Sequence, residues 1–152
     1  GGQQEESLRA GTEPLLSIAG FGKAAKCINI ENMIKVKKIK EHFEKKLKSI
    51  NLGIEIIGEN SNRLPNTFMM FVPEIKADTL LIALDLEGFE VSTGSACSSG
   101  KVEPSAVLVK MGFSKTIANG VIRISLGYDN TLKEVDKFIL CLIKIIKRIR
   151  RI

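Results

Sequence analysis

The sequence predicts an α/β domain in which helices pack on a small sheet, and three observations carry that expectation. Residues 15–50 and 131–149 repeat apolar side chains three and four positions apart, the helical period. Between them lie short apolar or alternating runs bounded by Gly, Pro and Asn, as strands are. The 152 residues, 44% hydrophobic and 26% charged, have an ordinary globular composition. A chain of this size suits one domain and buries roughly 70% of its unfolded surface.

Residues 1–12 are polar and Gly-rich and read as a loop. Thr12 is placed to cap a helix, with Pro14 in its first turn. Leu15, Ile18, Phe21 and Ala25 form one helical stripe, and Val36, Ile39, Phe43, Leu47 and Ile50 a second, with Asn29 or Asn32 marking the break. Glu41 and Lys45 are spaced for an i,i+4 pair, and His42 is a surface helix residue without a catalytic role. Gly53 opens a short strand over 54–57, which ends in a turn over 58–62. Pro65 and Asn66 lead into an apolar strand over 67–72, stopped by Pro73. Lys76 to Glu87 is helical, with Gly88 as its stop. Residues 89–92 then read as a short strand.

Pro104 opens a helix through Met111, closed by Gly112. In Val121–Leu126 the period is two: Ile122, Ile124 and Leu126 face one side, Val121, Arg123 and Ser125 the other. An arginine opposite an aliphatic row is an ordinary salt-bridge partner, an exposed strand charge, or a clamp for a carboxylate, whose planar geometry its fork of donors matches. Thr131 and Glu134 form a capping box for a last helix, whose stripe is Val135, Phe138, Ile139, Leu142, Ile145, Ile146 and Ile149.

The net charge is +6. Much of the basic excess lies in Lys35–Lys48 and Lys144–Arg151, which are solvated helix faces or a landing strip for an acidic protein. Lys147, Arg148, Arg150 and Arg151 also complement a helix C-terminal dipole. One Tyr and no Trp argue against base stacking, and no nucleic-acid motif accompanies the charge. Three cysteines without close spacing suggest free thiols in a reducing compartment, with cytoplasm the default. One His leaves too few ligands for a self-contained metal site. No signal peptide and no membrane span are expected.

Cys27 and Cys141 sit in apolar helical sequence and read as small buried hydrophobes. Cys97 does not. Its surroundings, Ser92-Thr93-Gly94-Ser95-Ala96-Cys97-Ser98-Ser99-Gly100, keep a backbone soft and present the thiol on a mobile tether. Continued through Lys101-Val102-Glu103-Pro104-Ser105, this run resembles the active-site loop of NifS-like cysteine desulfurases, in the class V branch of the pyridoxal-phosphate aminotransferases. Arg9-Ala10-Gly11-Thr12-Glu13, Leu64-Pro65-Asn66-Thr67 and Ile122-Arg123-Ile124-Ser125-Leu126-Gly127 agree with it in the same order.

The resemblance covers the whole chain but only the last two-fifths or so of a family protein. It implies the small C-terminal domain of a fold-type I pyridoxal-phosphate enzyme, with a short, mostly antiparallel sheet. Residues 1–13 would be left over from the large domain and dimer loop, and 14–152 would be the small domain carrying the Cys97 loop. The implied reaction takes sulfur from L-cysteine, leaving L-alanine and a persulfide on Cys97 for iron–sulfur cluster assembly or tRNA thiolation. The resemblance further implies that Arg123 binds the substrate α-carboxylate. Thr12, aided by Gly11, would donate to the cofactor phosphate of the other subunit of a homodimer. Cys97 would also ligate an iron–sulfur cluster transiently while it is shared with a scaffold protein. A thiolate nucleophile needs a lowered pKa or a nearby base, and within the loop only Lys101 offers a cation.

The sequence departs from the family at Gln3 and Ser7, where Gly is usual, and at Glu6, where Arg is usual. A charge reversal near an anionic cofactor weakens phosphate affinity or dimer geometry. The family's cofactor-binding lysine lies before Gly1, so this chain alone is expected neither to bind the cofactor covalently nor to desulfurate cysteine. The alternative is a catalytically incompetent truncated paralog that binds a sulfur-acceptor scaffold. A selenocysteine lyase of the same fold is a weaker rival, because the long Ser/Gly loop fits a mobile persulfide carrier.

Overall fold

The computed structural model describes residues 2–94 and 104–152. The chain forms two compact units, 1–31 and 32–152. In the first, Glu5–Ser7 make a single tight turn, and helix α1 spans Leu15–Lys26. Helix α2, Ile30–Ser49, begins after the predicted break, where the Asn29 side chain accepts the Glu31 N–H at 2.8 Å. Two expectations fail in this unit. Pro14 rather than Thr12 occupies the cap position of α1, with no side-chain cap bond. Cys27, expected to be buried, is exposed.

The second unit is built on four strands: β1 (Glu55–Ile56), β2 (Thr67–Phe71), β3 (Ser92–Thr93) and β4 (Val121–Ser125). Their order across the sheet is β1-β2-β4-β3, and every pairing is antiparallel. The central pair sets Phe68 against Ile124, Met69 against Arg123 and Met70 against Ile122. Because side chains alternate across a strand, Phe68, Met70, Ile122 and Ile124 share one face. Helices α2, α3 (Ala77–Leu86) and α6 (Leu132–Arg150) cover that face, burying Ile39, Phe43, Leu47, Leu80, Leu84, Phe138, Leu142 and Ile146. Phe43 stands edge-on to Phe68 at 5.1 Å and to Phe138 at 5.0 Å, contacts worth about 0.5–1.5 kcal/mol each beyond area burial.

Two short helices, α4 (Ala106–Lys110) and α5 (Lys115–Gly120), pack on the other face through Leu108 and Ala118 against Ile57, Phe71 and Val121. Helix α5 was not anticipated: its six residues carry no full helical period, and its sequence signal is Ser114, whose hydroxyl accepts the Ile117 N–H at 3.3 Å. Gly120 lets it approach the sheet, since a Cβ there would lie 2.5 Å from the Phe71 ring.

The strand expected over 89–92 shrinks to Ser92–Thr93, for a local reason. Gly88, at φ +82°, and Phe89 return their N–H groups to the Asp85 and Leu84 carbonyls, a Schellman closure of α3 that leaves 89 unavailable to a ladder. Gly112 and Phe113 close α4 in the same way. The capping box of Thr131 and Glu134 forms as read.

Among the cations, Lys40 and Arg150 are not solvated. Lys40 is buried and donates to the Leu64 carbonyl at 2.7 Å, and burial lowers its pKa. Arg150 donates to the Leu52 and Pro73 carbonyls at 2.9 and 2.6 Å, tying the end of α6 to both sides of the β1–β2 region. Glu41 pairs with Lys37 rather than Lys45. His42 is half-buried and engaged: its Nε2 lies 3.1 Å from Asp136 on α6, which also accepts from Lys46 at 2.8 Å.

Lys46 first, and His42 second, hold the Asp136 carboxyl below its ordinary range. A depressed folded pKa contributes stability above the unfolded value, about 3.9, and loses it as pH falls through the folded value. Asp136→Asn should therefore lower denaturant stability at neutral pH and shrink the drop seen on acidification below about pH 4. Equal acid sensitivity in the wild type and the variant contradicts this assignment.

Candidate functional site

The face of β4 that the long helices leave uncovered carries Arg123. Its neighbours across the ladders are Met69 on β2 and Ser92 on β3. Arg123 and Met69, with the turn before β2 and helix α4, line a groove of about 330 Å³ whose wall also includes Ile57, Leu64, Leu108 and Met111. The lining is mainly apolar, with two guanidiniums.

The two cations differ in their commitments. Arg63 meets Glu44 through two parallel bonds of 2.6 and 3.0 Å, so its charge is neutralised within the fold. Arg123 is half-buried, and its one hydrogen bond among the described residues comes from Nη2 to the Ser92 hydroxyl at 3.4 Å. It forms no ion pair with a carboxylate among the described residues. Of the readings open to Arg123, an internal salt bridge is thus absent there. Arg123 is half-buried rather than a fully exposed strand charge, and its fork of donors beside an apolar wall is suited to a small carboxylate.

The register that aims Arg123 is fixed at the end of the strand pair. Leu126 N–H donates to the Asn66 carbonyl at 2.8 Å, and the Thr67 hydroxyl to the Ile124 carbonyl at 3.0 Å. The Leu64–Thr67 motif thus stitches β2 to β4. A one-residue slip would turn Arg123 into the core. Sequence reading noted this motif but missed the Arg63–Glu44 pair, because nothing in the spacing of residues 19 apart announces a contact.

Ser92, Arg123's partner, stands five positions before Cys97 in the chain. Gly94 N–H donates to the Val121 carbonyl at 3.0 Å, which anchors the exit of β3. Cys97 and Lys101 lie outside the described residues. Cys141 is half-buried, and burial raises its thiol pKa, away from nucleophilic character.

Thr12 belongs to the other unit. Its carbonyl, with that of Gly11, accepts from Arg9 Nη1 at 3.3 Å, while its hydroxyl has no hydrogen-bond partner among the described residues. Gly11 sits at φ +108° with open space where a Cβ would be, so it permits close approach of a ligand. Arg9 is occupied by backbone carbonyls. Glu5, Glu6 and Ser7 all adopt positive φ, at 50°, 54° and 68°, at a cost of roughly 1–2 kcal/mol per residue for non-glycine side chains. Ser7 therefore takes a left-handed conformation at a position where the family resemblance expects glycine.

A four-stranded antiparallel sheet with helices on both faces matches part of the fold of NifS-like class V aminotransferases. The chain belongs to that family: the aminotransferase class-V family model matches residues 2–138. It is 36% identical to the cysteine desulfurase IscS of Dictyoglomus turgidum over 155 residues, covering 100% of this chain and 39% of that protein. It is 39% identical to a cysteine desulfurase of Nostoc sp., covering 99% of this chain and 38% of the relative. Among solved structures, a NifS-like protein from Rickettsia africae superposes with a TM-score of 0.79 at 41% identity, over 95% of this chain and 38% of the other. A second NifS-like protein gives 0.75 at 35% identity, over 100% and 38%. The chain thus spans about two-fifths of the length of the curated relatives it matches.

Glu44→Gln should leave Arg63 half-paired in a largely enclosed site and cost about 2 kcal/mol in chemical denaturation, the scale of a charged hydrogen bond lost with its partner retained. A change below about 0.5 kcal/mol would mean that the pair contributes no more than a surface ion pair.

Proposed function

We propose that this chain is the Arg123- and Cys97-bearing part of a cysteine desulfurase. The observation that carries the proposal is the guanidinium of Arg123, without a carboxylate partner among the described residues, on an apolar groove and on the strand paired to the one that leads into the Cys97 loop. Family membership and the cysteine desulfurase relatives support the same reading.

In this account Arg123 holds the α-carboxylate of L-cysteine in a two-bond fork and orients its thiol outward. Cys97, as thiolate, attacks the substrate sulfur. A sulfur–sulfur bond forms and the substrate Cβ–S bond breaks. Its electron pair stays on the carbon, which takes a proton, so the products are L-alanine and a Cys97 persulfide. Pyridoxal phosphate, when bound, supplies the electron sink this chemistry requires. The Thr12 hydroxyl, without a partner among the described residues, and the open backbone at Gly11 fit a phosphate acceptor, across a homodimer in which residues 1–13 belong to the large-domain side and 14–152 to the small domain. The lysine that holds the cofactor is not in this chain, and activity requires the complementary part. The persulfide is passed to a sulfur-acceptor protein for iron–sulfur cluster assembly or tRNA thiolation in the cytoplasm. Among the described residues, no helix is long and apolar enough to cross a membrane.

A second reading, a binding module that has lost catalysis, is favoured by the left-handed turn at Glu5–Ser7 and by the carboxylate of Glu6 beside the phosphate-binding segment. Supplying the remaining part of a relative in trans and measuring sulfide from L-cysteine separates the two. The desulfurase reading expects sulfide release that vanishes in Cys97→Ala. It also expects Arg123→Ala to raise KM at least about tenfold, the loss of a bidentate charged contact. Fold-competent complexes without sulfide release, or release unaffected by Cys97→Ala, overturn it.

A further inference from the structure

Helix α6 shows two faces of opposite character. Val135, Phe138, Ile139, Leu142, Ile145 and Ile146 are buried in the core. On the solvent side, Lys133, Lys137, Leu140, Lys144 and Lys147 follow one another at spacings of three and four, Arg148 lies four beyond Lys144, and all are exposed. These positions line one face of the helix over about 22 Å, at 1.5 Å per residue. No carboxylate interrupts the stripe. The two acids of α6 are turned elsewhere, Glu134 into the capping box and Asp136 toward His42 and Lys46 of α2. Among the described residues none of the five cations forms an ion pair, whereas Lys37, Lys46 and Lys48 on α2 each have a carboxylate partner.

A run of unneutralised charge repels itself and contributes nothing to the core beneath it. At its centre stands Leu140, 62% exposed and flanked by Lys137 and Lys144. A leucine between cations is an apolar contact set inside an electrostatic guide, the arrangement of an interface core and its charged rim.

From this we infer that the outer face of α6 is a docking surface for an acidic protein segment that seats an apolar side chain on Leu140. The stripe is mostly lysine, with one guanidinium, and no aromatic side chain interrupts it, so it lacks the stacking platforms and planar forks of nucleic-acid surfaces. Its single apolar residue is too little for a membrane-inserting face. The inference does not depend on the desulfurase reading.

The test uses the whole chain and a fluorescein-labelled helical peptide rich in Glu and Leu. The same peptide with Leu replaced by Ser serves as comparison. The chain should bind the first peptide with an affinity that falls as salt rises. Lys137→Glu, Lys144→Glu and Lys147→Glu together should weaken binding by about tenfold or more. Leu140→Ser should weaken the leucine peptide by about threefold or more while leaving the serine peptide unchanged, a difference that diffuse charge attraction does not produce. Lys38→Glu with Lys45→Glu, on α2, should leave affinity within about twofold. Equal losses from the α2 pair, no response to Leu140→Ser, or tighter binding of double-stranded RNA or anionic phospholipid vesicles at the same ionic strength overturns the proposal. Unchanged circular dichroism of the exposed-site variants guards against misfolding.

Discussion

The pairing of β2 with β4 is the constraint on which the rest of this domain depends. Five residue pairs, from Thr67 with Ser125 to Phe71 with Val121, place two non-adjacent stretches side by side. Because alternation is strict, that single register decides two things at once. It turns Ile122, Ile124, Phe68 and Met70 toward the helices, and it turns Arg123 to the other side. The hydrophobic core therefore enforces the position of the guanidinium. The core and the candidate site are two consequences of one hydrogen-bonded ladder, and a change that weakens either is felt by both.

Around this ladder, charge is either neutralised or left open in a way that separates structure from function. Arg63 is answered by Glu44, Lys40 by a carbonyl and Arg150 by two carbonyls, so these cations hold loops to helices. Among the described residues, Arg123 has a single long bond to a hydroxyl, and the outer cations of α6 have no ion pair. In the proposed desulfurase reading, the first of these open charges takes a substrate carboxylate as its partner.

Much of this was legible in the sequence because it is local. The alternation in 121–126 named both the inward row and the outward arginine, and Thr131 with Glu134 announced the last helix. The glycines at 88 and 112 marked helix ends because only a left-handed residue closes them without strain. What the sequence hid is non-local or competitive. Phe89 looked like strand, but the closure of α3 claimed its N–H first. Helix α5 is too short to show a period. The commitments that single out Arg123 depend on partners such as Glu44, and no spacing rule links Glu44 to Arg63. Thr12 seemed a helix cap, yet Pro14 took that place.

The central claim is that a carboxylate held by Arg123 delivers its sulfur to Cys97. Its most direct measurement is tryptic mass spectrometry of the chain after incubation with L-cysteine, pyridoxal phosphate and the complementing part of a relative. The account predicts one added sulfur atom on the peptide containing Cys97, removed by a reductant and missing when Arg123 is replaced by alanine. Alanine formed with the added sulfur on another cysteine, or with Cys97 unmodified throughout turnover, would contradict it.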